Sequence, residues 1–109
     1  MPELREYLDI GGRSPFGDWF AGLDATAAAR VATALARLEQ GNFSNVNPVG
    51  EGVAEYKIDF GPGYRIYFGR HGGDLVILLA GGTKKRQSRD IGNAILSWAE
   101  YRRRRRTER

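Results

Sequence analysis

The sequence predicts an α+β fold: an antiparallel sheet with a two-helix hairpin on one face, followed by a C-terminal helix. Three observations carry this. Val53 to Phe60 alternates, with Ala54, Tyr56, Ile58 and Phe60 on one side and Val53, Glu55, Lys57 and Asp59 on the other, which is the period of a half-buried strand. Phe16, Trp19, Phe20 and Leu23 fall at helical spacing. Leu75 to Ala80 is apolar at every position, as in a strand covered on both faces.

The elements follow in order. Leu4 to Ile10 alternates imperfectly and reads as an edge strand. Ser14-Pro15 is a hydroxyl cap followed by proline at the first helical position. Asp24 caps a second helix running to about Gln40, with Gly41 as its terminator. Val31, Leu35 and Leu38 lie on its apolar side, flanked by Ala27 and Ala34, while Arg30, Thr33 and Arg37 face away. Gly41 to Gly52 is turn-rich and delivers the chain to the first strand of a three-stranded meander. Gly61-Pro62-Gly63 turns that strand back into Tyr64 to Phe68, where Tyr64, Ile66 and Phe68 share a face and Arg65 and Tyr67 take the other. A three-residue loop places Asp59 opposite Arg65 and Lys57 opposite Tyr67, with Lys57 and Arg65 diagonal neighbours on an open face. The last helix begins near Ser88 and presents Ile91, Ala94, Ile95 and Trp98 inward. The order is β-α-α-β-β-β-α, one domain over 1–109 with a basic tail at 102–109.

Composition narrows the function. The chain has 109 residues, 28% charged, and no cysteine, so disulfides and thiolate metal sites are excluded. Its net charge of +4 divides unevenly: residues 1–83 hold seven Lys/Arg against ten Asp/Glu, a balance of −3, and residues 84–109 hold ten against three, a balance of +7. Such an end attracts polyanions. Neither a membrane span nor a signal peptide is read from the sequence, and a cytoplasmic protein is expected.

Arg65 is the first functional candidate, since a guanidinium on an open sheet face grips a phosphate by two parallel hydrogen bonds and neutralises charge in a phosphoryl transition state. The competing account is a cross-strand pair with Asp59. Lys57 beside it is a candidate base, or an ordinary surface lysine. Tyr67 is placed to stack on a base or orient a ribose hydroxyl, or else to fill space beside Lys57. In Gly81-Gly82-Thr83-Lys84-Lys85-Arg86 a strand hands over to a helix, where backbone amides and three cations converge. The GxxxxGK[ST] spacing is missing, which argues against nucleotide hydrolysis. His71, the sole histidine, sits in a turn. Glu55, Asp59 and Asp90 are too scattered for a magnesium centre, so neither metal nor cofactor is expected.

The chain resembles the RelE/ParE toxin superfamily, in particular its addiction-module killer protein group, also described as HigB-like or phage Gp49-like. The resemblance rests on Phe16 to Leu23, Arg37 to Phe43, Asn47 to Val53, Gly61 to Phe68, Leu78 to Gly82, Gln87 and Asp90-Ile91. It implies the toxin of a two-gene module, held inactive by a co-expressed antitoxin, typically a small helix-turn-helix protein, in a hetero-oligomer. It further implies a ribosome-dependent, metal-free mRNA endonuclease in which Arg65, Lys57 and Lys84 are catalytic and Tyr67, Lys85, Arg86, Gln87 and Arg89 bind RNA. Two alternatives stay open: a ParE-like inhibitor of DNA gyrase without nuclease activity, and a non-toxic nucleic-acid or antitoxin-binding module. This chain departs from the group in reading Glu55-Tyr56-Lys57 where Glu-Leu-Arg is usual, which keeps a charge and loses the bidentate fork. Its Arg102 to Arg106 run lies outside the pattern.

Overall fold

The structure is a computed structural model and describes residues 1–107. Its elements are β1 (Glu3–Glu6), α1 (Pro15–Ala21), α2 (Ala25–Glu39), β2 (Val46–Gly50), β3 (Val53–Ile58), β4 (Tyr64–His71), β5 (Leu75–Thr83), a turn of 3-10 helix (Lys84–Arg86) and α3 (Gln87–Thr107). They form one five-stranded sheet in the order β1-β5-β4-β3-β2. The expected α+β class holds. The sheet is mixed, because β1 runs parallel to β5 while all other neighbours are antiparallel.

Both helix starts form as their sequences dictate. The Ser14 hydroxyl accepts from the Gly17 amide at 2.8 Å, and the Asp24 carboxylate accepts from the Ala27 amide at 2.8 Å. Gly41, at φ +78°, ends the second helix in the left-handed conformation that glycine adopts without strain. The α1–α2 hairpin covers one face of the sheet, closing Phe16, Val31, Ala34 and Leu38 over Tyr56, Ile58, Ile66, Phe68, Val76 and Leu78. α3 covers the other face, closing Ala94 and Trp98 over Tyr7, Val53, Tyr67, Ile77 and Leu79. The apolar run in β5 therefore feeds two cores, as its unbroken hydrophobicity requires.

Two expectations are corrected here. The turn-rich segment before the meander contains a strand, β2, paired antiparallel with β3. It lies at the sheet edge, where Pro48 is tolerated because no neighbour needs its amide, and mostly exposed residues hide the strand period. The second correction is the register of β3 and β4. Lys57 stands opposite Arg65, and Glu55 opposite Tyr67, two residues from the expected pairing. The loop consumes Asp59 to Gly63: Phe60 bonds back to Ile58, Gly63 bonds back to Phe60, and Gly61 and Gly63 hold positive φ of 56° and 78°. A slip of two keeps every side chain on its own face, so alternation alone fixes the register only to within such steps.

Candidate functional site

The corrected register builds a cationic cleft at one end of the α3 side of the sheet. Lys57 and Arg65 are direct cross-strand neighbours, and Gly82 lies opposite Arg65 on its other flank. Gly63 organises the corner. Its carbonyl accepts from the Lys84 amide at 2.8 Å and from Arg65 Nη1 at 3.1 Å, so the hairpin turn fixes both the start of the 3-10 turn and the guanidinium. The result is a cleft of about 410 Å³ lined by Ser44, Asn45, Asn47, Lys57, Ile58, Asp59, Gly63, Arg65 and Lys84. Lys57, Arg65 and Lys84 thus come together from three different elements. Lys57 and Lys84 are exposed.

Arg65 departs from its expected setting. It is 5% exposed, and its Nε lies 3.4 Å from Glu55 Oε1, both side chains being about 7% exposed. The pairing with Asp59 expected from the sequence does not form, because Asp59 falls in the loop beyond β3. Glu55 also accepts from Gln87 Nε2 at 3.0 Å, which ties the first turn of α3 to the sheet. The face that bears Arg65 packs beneath α3, and Lys57 on the same face is exposed. A lone charge buried there would be costly, so the guanidinium needs the acid and the acid needs the guanidinium.

Tyr67 is corrected further. It is 0% exposed within the core beneath α3, so no base can stack on its ring in this conformation. Burial, then the nearby Glu55 and Asp90 carboxylates, push its phenol up to about 12, with Arg65 pulling the other way. Its hydroxyl, Arg65 Nε and Asp90 Oδ2 are buried without a hydrogen-bond partner among the described residues. Burial likewise raises the Asp90 carboxyl above its usual range, opposed by Arg86 and Arg89. Gln87, expected to touch RNA, is engaged with Glu55. Lys85, Arg86 and Arg89 are exposed and none of them lines the cleft.

The glycine pair before the 3-10 turn has a packing role. A Cβ on Gly81 would collide with the Trp19 ring, and one on Gly82 with the Asp90 carboxylate. Successive strand residues point to opposite faces, so the pair lets α1 approach one side of β5 and α3 the other. Sequence reasoning read these glycines as a phosphate cradle and missed Glu55 as a buried partner. The missed signal was the position of Glu55 on the same strand face as Arg65, the nearest acid able to compensate it.

The far end of α3 is anchored separately. Glu100 accepts from Tyr7 Oη at 2.6 Å and from Arg104 Nε at 3.0 Å, and Arg104 Nη2 donates to the Leu8 carbonyl at 3.0 Å. Those two bonds, Arg104 first, hold the Glu100 carboxyl below its usual range. The helix stays regular to Thr107. Of the basic tail, Glu108 and Arg109 lie outside the described residues. Among the described residues no helix is long and apolar enough to cross a membrane, and no group of three His, Asp or Glu is placed to hold a metal ion.

A mixed sheet covered by a helical hairpin on one face and a long C-terminal helix on the other, with three cations at one cleft, defines a small α+β protein with a cationic cleft at the sheet's edge. The model of the phage derived protein Gp49-like family (DUF891) matches residues 18–101, and the chain belongs to that family, which falls within the RelE/toxin-like group. An uncharacterized protein of Haemophilus influenzae is 42% identical over 82 residues, covering 74% of this chain and 83% of that protein. The family match, residues 18–101, holds the residues of the cleft and ends before Arg102.

Proposed function

We propose that the protein is the toxin of a type II toxin-antitoxin module and an mRNA endonuclease acting on message held in the ribosome. The observation that carries this reading is the convergence of Lys57, Arg65 and Lys84 on one cleft, in a family whose members are often such toxins. Strand cleavage needs three things from the protein: a proton acceptor for the 2′-hydroxyl, positive charge at the phosphate, and a donor for the departing oxygen. Lys57 takes the 2′-hydroxyl proton. The resulting oxygen attacks the adjacent phosphorus as the bond to the 5′-oxygen breaks, leaving a 2′,3′-cyclic phosphate and a 5′-hydroxyl. Arg65 supplies fixed charge to the equatorial oxygens. Its guanidinium is held by Glu55 and Gly63, which favours electrostatic support over a mobile two-pronged grip. Lys84, an exposed side chain lining the same cleft, donates the proton that turns the departing 5′-oxygen into a hydroxyl.

A co-expressed antitoxin, typically a helix-turn-helix protein, holds the toxin inactive in this reading. The test is induction of the protein without its antitoxin, followed by mapping of mRNA 5′ ends. New 5′-hydroxyl ends in phase with codons are expected. Growth arrest with intact message and blocked DNA supercoiling would replace this reading with gyrase inhibition, and undisturbed growth would replace it with a non-toxic binding module.

A further inference from the structure

Lys57 stands between two clefts. Beside the one already described lies another, of about 420 Å³, on the α2 side of the same sheet edge, lined by Arg30, Thr33, Ala34, Arg37, Asn45, Tyr56, Lys57, Ile58, Asp59 and Phe60. The two share Asn45, Lys57, Ile58 and Asp59, so the rim of β3 is a saddle with a basic depression on either side. Arg30, Thr33 and Arg37 come from the polar stripe of α2, at spacings of three and four residues that place them on one face.

We propose that this second cleft is a subsite for the nucleotides flanking the scissile phosphate, so that a single-stranded RNA crosses the saddle over Lys57. The inference rests on the nuclease reading and extends it to substrate length. Two features favour a nucleic acid. The Arg30 guanidinium lies 4.3 Å over the Phe60 ring and is exposed on its other side, which makes a flat cationic platform of the kind on which bases stack. Thr33, Asn45 and Asp59 add neutral and acidic groups able to meet base edges and ribose hydroxyls. Arg37 and Lys57 remain to neutralise backbone phosphates.

The experiment measures binding of 2′-O-methyl RNA, which cannot be cleaved, to the full chain: a fluorescent hexanucleotide by anisotropy, and a dinucleotide by chemical-shift titration. The double variant Arg30→Ala/Arg37→Ala is expected to weaken the hexanucleotide tenfold or more at low salt. It should also flatten the salt dependence of log K by about 0.7, because Arg37 is the one phosphate contact it removes. The dinucleotide should change by less than twofold. Should the double variant unfold for want of the Arg30 stack, Thr33→Glu puts a carboxylate in the same cleft without removing that contact and is expected to weaken the hexanucleotide alike. Unchanged hexanucleotide binding, equal losses for both lengths, or equal competition by a polyglutamate peptide of the same charge would overturn the subsite. Lys57→Ala/Lys84→Ala separates the two readings. If it binds the hexanucleotide normally while the α2 variant does not, the Lys57 cleft and the crossing path fall together. If it loses binding while the α2 variant does not, only the second subsite falls.

Discussion

The sharpest consequences lie with single side chains, because the three cations of the cleft are not equivalent. Arg65→Ala removes the partner of a buried carboxylate, and breaking such a pair costs about 3–5 kcal/mol. Chemical denaturation should show this loss, and any loss of toxicity in that variant will be mixed with loss of fold. Lys57 is exposed, so Lys57→Ala should change stability by no more than about 0.5 kcal/mol while lowering cleavage by about 10²–10⁴, the range for a lost general base. Tyr67 carries a spectroscopic prediction. Ultraviolet titration should find Tyr67 and Tyr7 ionising only near pH 12, both held up first by burial. Because each folded value lies above the unfolded value of about 10, their contribution to stability is complete below pH 10 and is lost as the pH climbs through 12. Titration of either at about 10 in the folded protein would contradict its placement. Which face each residue takes was legible from alternation. That Arg65 and Tyr67 are roofed was not, since strand period tells which side a residue faces and nothing of what lies above it.

At the level of elements, the packing of α3 on β5 depends on a missing methyl group. Gly82→Ala should cost about 1–3 kcal/mol, because its Cβ meets the Asp90 carboxylate. A second change, Asp90→Ala, should restore part of that loss, and a double-mutant cycle by denaturant titration measures the coupling. Additive losses would mean that the two residues do not touch. Asp90 also carries a pH signature. Its carboxyl is raised by burial, so ionisation opposes folding, and the cost is absent below the unfolded value of about 3.9 and complete above the raised folded one. Both helix caps, the α2 terminator and the inward stripe of α3 were legible, since each follows from local chemistry within a few residues. β2 was not, because its two valines, Val46 and Val49, stand three apart instead of alternating and are interleaved with Asn47, Pro48 and Gly50, which strands disfavour. The β3–β4 register was half legible: the alternation set the faces, and the five residues taken by the turn set the pairing.

Across the whole molecule, charge and architecture meet at one rim. The balance of +7 over residues 84–109 was plain in the sequence, but where it concentrates depended on the fold. Lys84 lines the cleft and Lys85, Arg86 and Arg89 follow it, exposed, in the 3-10 turn and the first turn of α3, whereas Arg104 is engaged with Glu100, Leu8 and the Tyr7 ring at the other end of α3. Closing β4 onto both β3 and β5 brought Lys57, Arg65 and Lys84 together, a juxtaposition from three elements that resemblance suggested and spacing alone could not supply. The decisive measurement is cleavage of a defined message on programmed ribosomes by the purified protein and by Lys57→Ala of equal stability. The wild-type chain should release fragments with cyclic phosphate ends, and the variant should be at least a hundredfold slower. A variant that cuts within threefold of the wild-type rate, or a wild-type chain that leaves the message whole, would contradict the assignment of RNA cleavage to this cleft.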